Sequence, residues 1–298
     1  MRIRPEPVRV RVPATSANLG PGFDAMGLAL ALHDTIEART THGRTEVEVV
    51  GAGADSLPTG EDHLVVQALR AGLDHARAPQ EGLRLRCENH IPHGRGLGSS
   101  AAAVVAGLLA ARGLVADPEV LDDDAVLALA TRFEGHPDNA APALLGGATV
   151  AWVDDAGPRA VRIAVSRRLA PAVLVPVTRL ATSTARAMLP PRVPHADAAY
   201  NAGRAALLVV ALNERPDLLL PATDDRLHQG YRGEVMQPSL GLMSALRAAG
   251  VPAVISGAGP SVLALDGLSE QAAETHAPDG WDVLRLGIDR DGASVERL

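Results

Sequence analysis

The chain has no lysine among its 298 residues, so all 28 of its basic side chains are arginines. This absence excludes a Schiff-base lysine, a lysine general base and the lysine of the common phosphate loop. Aromatic residues make up only 2% of the sequence, so the core must be filled by alanine, valine and leucine. Any chemistry on phosphates must therefore take its positive charge from arginine, metal ions or backbone N–H groups.

The sequence also lacks disulfide chemistry, targeting segments and a basic surplus. Cys87 is the single cysteine, so no intramolecular disulfide is available. The N-terminus is charged and does not resemble a signal peptide, and no run reaches the roughly 18–20 apolar residues of a membrane span. The net charge of −7 argues against a nucleic-acid partner. We therefore expect a soluble, cytoplasmic protein that binds neither nucleic acid nor a membrane.

Hydrophobic periodicity predicts a mixture of strands and helices without the regular alternation of a doubly wound sheet. Strands are predicted at 8–12, 27–32, 45–50, 83–87, 148–153, 161–165, 172–177, 251–255 and 262–265. Helices are predicted at 62–75, 100–112, 123–133, 183–188, 198–212 and 241–249. The sequence thus predicts an α+β fold in two parts, an N-terminal domain at 1–160 and a C-terminal domain at 161–298.

The most informative segment is a glycine-rich stretch at 92–102 that leads into an alanine-rich helix. Glycines at 94, 96 and 98 let the backbone turn tightly and approach a ligand closely. Ser99 and Ser100 then stand where the helix begins, and free N–H groups favour an anion there. Taken alone, an ordinary serine cap after a flexible loop is an equally good interpretation. The segment matches neither the common phosphate loop nor the dinucleotide-binding fingerprint.

Three ordered motifs make the chain resemble the GHMP kinases, a superfamily of galactokinases, homoserine kinases, mevalonate kinases and phosphomevalonate kinases. They are PATSANLGPGFD at 13–24, PHGRGLGSSA at 92–101 and SGAGPSV at 256–262, and together they span nearly the whole chain. The resemblance implies an N-terminal part like domain 2 of ribosomal protein S5 and a C-terminal ferredoxin-like α/β sandwich. It also implies ATP and Mg²⁺. The nucleotide-binding residues that it implies are Pro92, His93, Gly94, Arg95, Gly96, Leu97, Gly98, Ser99, Ser100, Ala101 and Ala102.

Within the superfamily, three segments are most similar to the homoserine kinases. They are the first motif, which has Thr15 where mevalonate kinases have a lysine, EGHPDNAAP at 134–142 and LHQGYR at 227–232. The resemblance implies L-homoserine as the substrate. It implies a pocket formed by Asn18, Asp24, His136, Asn139, Thr182, Arg186, Arg232 and Gly259. The two arginines suit bidentate binding of the substrate carboxylate, and Asp24 could pair with the ammonium or hold the reacting hydroxyl.

The resemblance also indicates how the reaction would be catalysed. Ser100, or alternatively Ser99, would hold Mg²⁺ together with Glu134, because a hard cation prefers oxygen ligands. The expected catalytic residues are Asn18, Asp24, Glu134 and Asn139. Asn139 is aligned with an aspartate of mevalonate kinases, and an amide cannot accept a proton. We therefore expect transfer without a protein base, with Asp138 as the alternative base.

Two other functions stay open at the level of sequence. One is a GHMP kinase for another small alcohol, such as mevalonate or a sugar, against which the motifs around Asn18, His136 and Arg232 argue. The other is a non-catalytic relative that binds a nucleotide or small ligand as a sensor, although such a relative would be expected to lose its metal ligands first. The expected reaction is ATP-dependent phosphorylation of L-homoserine to O-phospho-L-homoserine in threonine biosynthesis, and the expected assembly is a homodimer.

Overall fold

The computed structural model describes all 298 residues, which form eleven strands, nine α-helices and three short 3-10 helices. The strands are β1 Val8–Ala17, β2 Met26–Thr41, β3 Glu46–Gly51, β4 Gly82–Asn89, β5 Ala148–Asp154, β6 Gly157–Ile163, β7 Ala172–Val175, β8 Ala253–Ile255, β9 Val262–Ala264, β10 Asp282–Arg285 and β11 Ser294–Arg297. The α-helices are α1 Leu64–His75, α2 Ser99–Leu114, α3 Asp123–Glu134, α4 Ala140–Leu145, α5 Thr182–Ala187, α6 His195–Asn213, α7 Leu219–Ala222, α8 Gln237–Ala248 and α9 Glu270–His276. The 3-10 helices are Pro118–Leu121, Pro216–Leu218 and Tyr231–Val235.

Seven strands form the first sheet, in the order β11-β1-β2-β4-β3, with β5 paired to β2 and β6 paired to β5. Strand β2 is 16 residues long and pairs with three other strands. Strand β1 pairs along one edge of β2, and β5 and β4 pair with different parts of the other edge. Only the β3–β4 pair is parallel. Helix α2 packs against α1 and β1, so its N-terminus lies beside the turn between β1 and β2.

Four strands form the second sheet, in the order β10-β7-β9-β8. Successive residues of a strand point to opposite faces, and β7 shows this clearly. Val173 and Val175 join the main core of 55 buried residues, whereas Ala172 and Leu174 join a smaller cluster of 14 that includes side chains of α8 and α9. The central strands of this sheet are therefore buried on both faces, which explains their continuous apolar runs.

The structure confirms the predicted α+β fold with two sheets, and each predicted helix and strand overlaps an observed one. The sequence patterns missed α4, α7, α9, β10 and β11, which are all short. The predicted division between residues 160 and 161 falls inside β6, and β11 returns to pair with β1. The division into two domains at that point stays a prediction. None of the helices is both long and apolar enough to span a bilayer.

Candidate active site

A cleft of about 330 Å³ lies where the turn between β1 and β2, the loop before α2 and the turn between β8 and β9 meet. Hydrogen bonds join the three segments. The Thr15 N–H donates to the Leu97 carbonyl (3.1 Å), and the Gly257 N–H donates to the Ala17 carbonyl (3.1 Å). The Ser256 hydroxyl donates to the Gly96 carbonyl (2.7 Å). The three motifs that stand far apart in the sequence therefore form one site.

Unpaired backbone N–H groups line one end of this cleft. None of the N–H groups of residues 96–101 donates a hydrogen bond within the protein. Helix α2 begins at Ser99 after Gly98, which has no side chain to cap those groups. Gly98 has a φ of 67°, and a Cβ at this position would lie 1.9 Å from the Thr15 Oγ1 atom, so both the backbone and the packing require glycine. The arrangement is suited to binding an anion such as phosphate.

A serine and a glutamate lie together beside this anion site. Helix α3 ends at Glu134 because Gly135 adopts a left-handed conformation, with a φ of 82°. This ending places the Glu134 carboxylate next to the first turn of α2, where Ser100 Oγ donates to Glu134 Oε1 (2.6 Å). Burial raises the pKa of Glu134, against the effect of the Ser100 hydrogen bond. A cation at this place would favour the ionised carboxylate.

The Ser100 and Glu134 oxygens fit a hard divalent cation such as Mg²⁺. The structure contains no group of three or more histidine, cysteine, aspartate or glutamate side chains that could hold a metal. A cation bound here would therefore complete its coordination with water and phosphate oxygens, which is the usual arrangement for Mg²⁺ at phosphate sites.

The same cleft carries charged side chains. Arg186 and Asp24 form a bidentate ion pair with N–O distances of 2.7 and 2.8 Å. Arg232 is only 2% exposed and donates to the Gly257 carbonyl (3.2 Å) and to His228 Nδ1 (3.1 Å). Burial lowers the pKa of Arg232, and its Nε atom has no partner. A buried guanidinium without a carboxylate partner is a good site for an anionic ligand.

His136, Asp138 and Asn139 also line the cleft. His136 Nδ1 is hydrogen-bonded to Asp138 Oδ1, and this bond raises the pKa of His136. Asp138 is 1% exposed and still lines the cleft, which places the alternative base within the site. Asn139 Oδ1 accepts a hydrogen bond from the Thr15 hydroxyl (2.9 Å), so the orientation of its amide is fixed.

Asn18 connects two of the loops that form the cleft. It has a left-handed backbone with a φ of 70° and is almost fully buried. Its Nδ2 group donates to the Gly257 carbonyl (2.8 Å), and its Oδ1 atom accepts the Asp24 N–H (2.9 Å). The amide therefore holds Asp24 and the turn at Gly257 in place.

Comparisons with known proteins agree with this geometry. Residues 63–147 match the family model for the GHMP kinases N terminal domain. The homoserine kinase of Streptomyces coelicolor is 53% identical to this chain over 290 residues, covering 97% of the chain and 94% of that protein. The chain belongs to the homoserine kinase family. The homoserine kinase of Clavibacter michiganensis is 52% identical over 297 residues, covering 97% of the chain and 94% of that protein.

A solved structure of the same family has the same fold. The crystal structure of homoserine kinase from Cytophaga hutchinsonii matches the present structure with a TM-score of 0.83 and 26% identity, and the match covers 98% of both chains. The resemblance to homoserine kinases drawn from the three motifs is therefore confirmed, and so is the GHMP kinase fold. The roles of individual residues stay predictions.

The cleft brings together most of the residues predicted for a homoserine kinase. The predicted nucleotide-binding residues that line it are Gly94, Gly96, Leu97, Gly98, Ser99 and Ser100. The predicted substrate-binding and catalytic residues that line it are Asn18, Asp24, Glu134, His136, Asn139, Thr182, Arg186 and Arg232.

Several predicted residues of the glycine-rich segment lie outside the cleft. Ala101 and Ala102 are buried in the core, and Pro92 does not reach the cleft. The Arg95 guanidinium points away, where it donates to the carbonyls of Pro176 (2.6 Å) and His93 (3.1 Å) and also contacts the Val177 carbonyl. These bonds direct the Arg95 guanidinium away from the cleft.

Two further expectations differ from the observed geometry. In the last motif, Gly257 and Ala258 line the cleft, whereas the predicted Gly259 does not, because it lies behind them against the Met236 side chain. Asp24 is expected to bind the ammonium or hydroxyl of the substrate and Arg186 its carboxylate, but in this structure the two side chains bind each other. Both features depend on contacts between distant parts of the chain.

A second cavity of about 200 Å³ also borders Ser99 and Ser100. Its lining is formed by Asp34, Ile36, Leu57, His63, Leu64, Val65, Asn89, His93, Ser99, Ser100 and Ala103. His63 is 3% exposed, its Nδ1 accepts the Val65 N–H (3.3 Å), and its Nε2 has no partner. The lining residues come singly from several elements, so no motif could indicate the cavity. Of the predicted residues, His93, Ser99 and Ser100 line this cavity.

Proposed function

We propose that this protein transfers the γ-phosphoryl group of ATP onto the hydroxyl of L-homoserine and produces O-phospho-L-homoserine for threonine biosynthesis. One observation carries the proposal: an anion site with a Ser–Glu pair and a cluster of side chains suited to a carboxylate and an ammonium line the same cleft. A phosphoryl donor and a small zwitterionic alcohol would meet between them. The relatives named homoserine kinase support the same reaction.

The free N–H groups at 96–101 would bind the phosphates of ATP. The second cavity touches the same serines, so it would receive the adenosine. Five apolar residues contribute to its walls, which suits a purine ring: Ile36, Leu57, Leu64, Val65 and Ala103. Because His63 Nδ1 accepts the Val65 N–H, the ring proton lies on Nε2 and would be donated to the base or ribose.

Ser100 and Glu134 would hold Mg²⁺ near the phosphates. When bound, the metal supplies positive charge to the phosphate oxygens, which this chain cannot obtain from a lysine. The raised pKa of Glu134 reflects a carboxylate that burial disfavours, and a bound cation would compensate for that cost.

The charged groups of the substrate would take the place of the partners in the Arg186–Asp24 ion pair. Its ammonium would bind Asp24, and its carboxylate would bind Arg186 and Arg232, so that each charged side chain keeps a partner. The Arg186 and Asp24 side chains are 42% and 34% exposed. An ion pair this exposed is worth only about 0.2–1 kcal/mol, so opening it costs little.

The acceptor hydroxyl would be oriented by the Asn139 amide, which Thr15 holds in place. Phosphoryl transfer passes through a loose transition state in which positioning and charge stabilisation dominate, so no strong base is needed. The γ-phosphoryl group would leave ADP for the hydroxyl oxygen, and the hydroxyl proton would pass to phosphate or water. Asp138 is the alternative base, although it already accepts a hydrogen bond from His136. The turnover number of Asp138→Asn tests this point. A loss of several orders of magnitude with an intact fold would overturn the view that no protein base takes part.

A substrate panel tests the proposed function directly. ADP release is measured with homoserine, mevalonate, galactose and shikimate, and we expect turnover only with homoserine. Arg232→Gln should raise the KM for homoserine about 10–100-fold, because it removes a hydrogen bond to a charged group. Arg192→Gln changes an exposed arginine without partners and is the matched control. Faster turnover of another alcohol, or equal effects of the two variants, would overturn the assignment.

We also propose that the protein works as a homodimer in the cytoplasm and has no nucleic-acid partner. This part rests on the family resemblance and the net charge of −7. Sedimentation equilibrium at micromolar concentration measures the mass, and a monomer would contradict the proposed assembly.

A further inference from the structure

His228 is a fully buried histidine that has no role in the proposed reaction. Its Nε2 atom lies 2.8 Å from the Gly20 carbonyl oxygen, and its Nδ1 atom lies 3.1 Å from a terminal nitrogen of Arg232. A carbonyl only accepts and a guanidinium only donates, so Nε2 must carry the proton and Nδ1 must be the acceptor. The two neighbours therefore select one neutral tautomer of the ring.

The backbone around His228 is held in place by Asp225. This carboxylate accepts the N–H groups of Leu227 (2.9 Å), His228 (3.1 Å) and Gln229 (2.8 Å). It also lies 3.7 Å from Nε2 of the ring, where it favours the protonated form. Burial and the adjacent guanidinium act in the opposite direction and lower the pKa of His228. The backbone of His228 is thus held in place, and the imidazole ring stays neutral.

An aromatic ring completes the surroundings of Arg232. Phe23, one of two phenylalanines in the chain, stacks on His228 with a centroid distance of 5.1 Å and an interplanar angle of 23°. The guanidinium carbons of Arg232 and Arg186 lie 5.4 and 5.7 Å from the centre of the same ring. Phe23 therefore contacts His228 and both Arg186 and Arg232, which line the cleft.

The hydrogen bonds of Arg232 determine which part of its guanidinium faces a ligand. One terminal nitrogen bonds both His228 and the Gly257 carbonyl. The other terminal nitrogen forms no hydrogen bond within the protein, and the residue lines the cleft. If the Arg232 side chain rotated freely, this nitrogen would no longer face the cleft. The hydrogen bond to His228 Nδ1 restricts that rotation.

We propose that His228 is a positioning residue, which holds the Arg232 guanidinium against the Phe23 ring so that its free nitrogen receives the carboxylate of the amino-acid substrate. The inference rests on the proposed function, because it takes that carboxylate as the ligand of Arg232. His228 acts through Arg232 and does not touch the substrate.

Two substitutions by amide side chains test the roles of the two His228 ring nitrogens independently. The His228→Asn amide can place an oxygen near the position of Nδ1 and so keep the acceptor for Arg232. The longer His228→Gln amide reaches the position of Nε2 and keeps the donor for Gly20 but loses the acceptor. We expect His228→Gln to raise the KM for homoserine about 10–100-fold, with the KM for ATP unchanged. The His228→Asn variant should retain most of the affinity for homoserine.

A purely structural role would give a different result. Loss of packing would affect the KM for ATP and the thermal unfolding as well, and the larger Gln would be tolerated at least as well as Asn. Equal effects of Asn and Gln, or an unchanged KM for homoserine in His228→Gln, would overturn the proposal. Turnover of homoserine by the unmodified enzyme is measured first. If that turnover is absent, the proposed function fails. If turnover is intact and the Asn and Gln variants change the KM for homoserine equally, only the positioning role of His228 is refuted.

Two further measurements keep the test decisive if a variant does not fold. In the unmodified protein, the ¹⁵N chemical shifts of the His228 ring at neutral pH should show a neutral ring protonated at Nε2, and an Nδ1–H tautomer or an imidazolium would overturn the proposal. Binding of 3-aminopropan-1-ol, which is homoserine without its carboxylate, should be equal in the unmodified enzyme and His228→Gln. A weakened affinity of the variant for this amino alcohol would show that His228 does not act through the carboxylate.

Discussion

Replacing Glu134 by glutamine should separate the metal-binding role of this residue from its contribution to stability. In the structure the Glu134 carboxylate accepts the Ser100 hydroxyl at 2.6 Å and is partly buried, which raises its pKa. A group with a raised pKa stabilises the folded state at pH values below its unfolded pKa, and this contribution is lost as the pH rises through the folded pKa. At neutral pH without metal, the ionised carboxylate therefore destabilises the fold. The Glu134→Gln protein should unfold at the same temperature or a higher one.

The size of the metal effect follows from binding linkage. With Mg·ADP at about 100 times its Kd, the unmodified protein should gain about 2.7 kcal/mol. Losing a charged ligand worth about 2.7 kcal/mol raises the Kd roughly 100-fold, and the gain then falls to about 0.4 kcal/mol. For a chain of this length, 1 kcal/mol corresponds to a shift of about 2 °C in Tm. The expected shift is therefore about 5 °C for the unmodified protein and about 1 °C for the variant.

Differential scanning fluorimetry with ADP, with and without Mg²⁺, measures both quantities, and kcat with homoserine is measured in parallel. Glu274→Gln is the matched control, because Glu274 is exposed on α9 and has no hydrogen-bond partner. We expect the control to behave like the unmodified protein and kcat of Glu134→Gln to fall at least 100-fold, which is about 2.7 kcal/mol. A full Mg²⁺-dependent shift in Glu134→Gln would refute the assignment of Glu134 to the metal.

The packing and the two cavities lead to three more predictions. Gly98→Ala should lower Tm and abolish ATP binding, because the new Cβ would lie 1.9 Å from Thr15 Oγ1. The control Gly241→Ala, at an open position on α8, should raise Tm slightly. Thermal unfolding with and without ATP measures both effects, and an unchanged Tm of Gly98→Ala would contradict the close contact. His63→Phe should raise the KM for ATP about 3–10-fold without affecting homoserine, and an unchanged KM would place the adenosine elsewhere. Cys87 is fully buried and its pKa is raised to about 12, so native protein should resist iodoacetamide until it unfolds, and rapid labelling would contradict this burial.

The anion site was predictable because its parts are neighbours along the chain. Glycines at 94, 96 and 98 and the start of α2 at Ser99 lie within a few residues of one another, so local geometry forms the site. The second cavity was not predictable, because Asp34, His63 and His93 meet only after β2, α1 and the glycine-rich loop pack together. Short elements such as α4 and β10 were missed because a few residues carry no measurable period.

The sequence by itself determined the family, the α+β fold and the set of side chains available to the site, since motifs and periodicity are local properties of the chain. Only the tertiary structure decided which of those side chains are already paired. Arg186 binds Asp24 across 162 positions of sequence, Arg95 turns away to backbone carbonyls, and Arg232 is buried without a carboxylate. The reason is physical: the partner and the solvent exposure of an ionised group depend on what folding places beside it, and the chain order does not specify this.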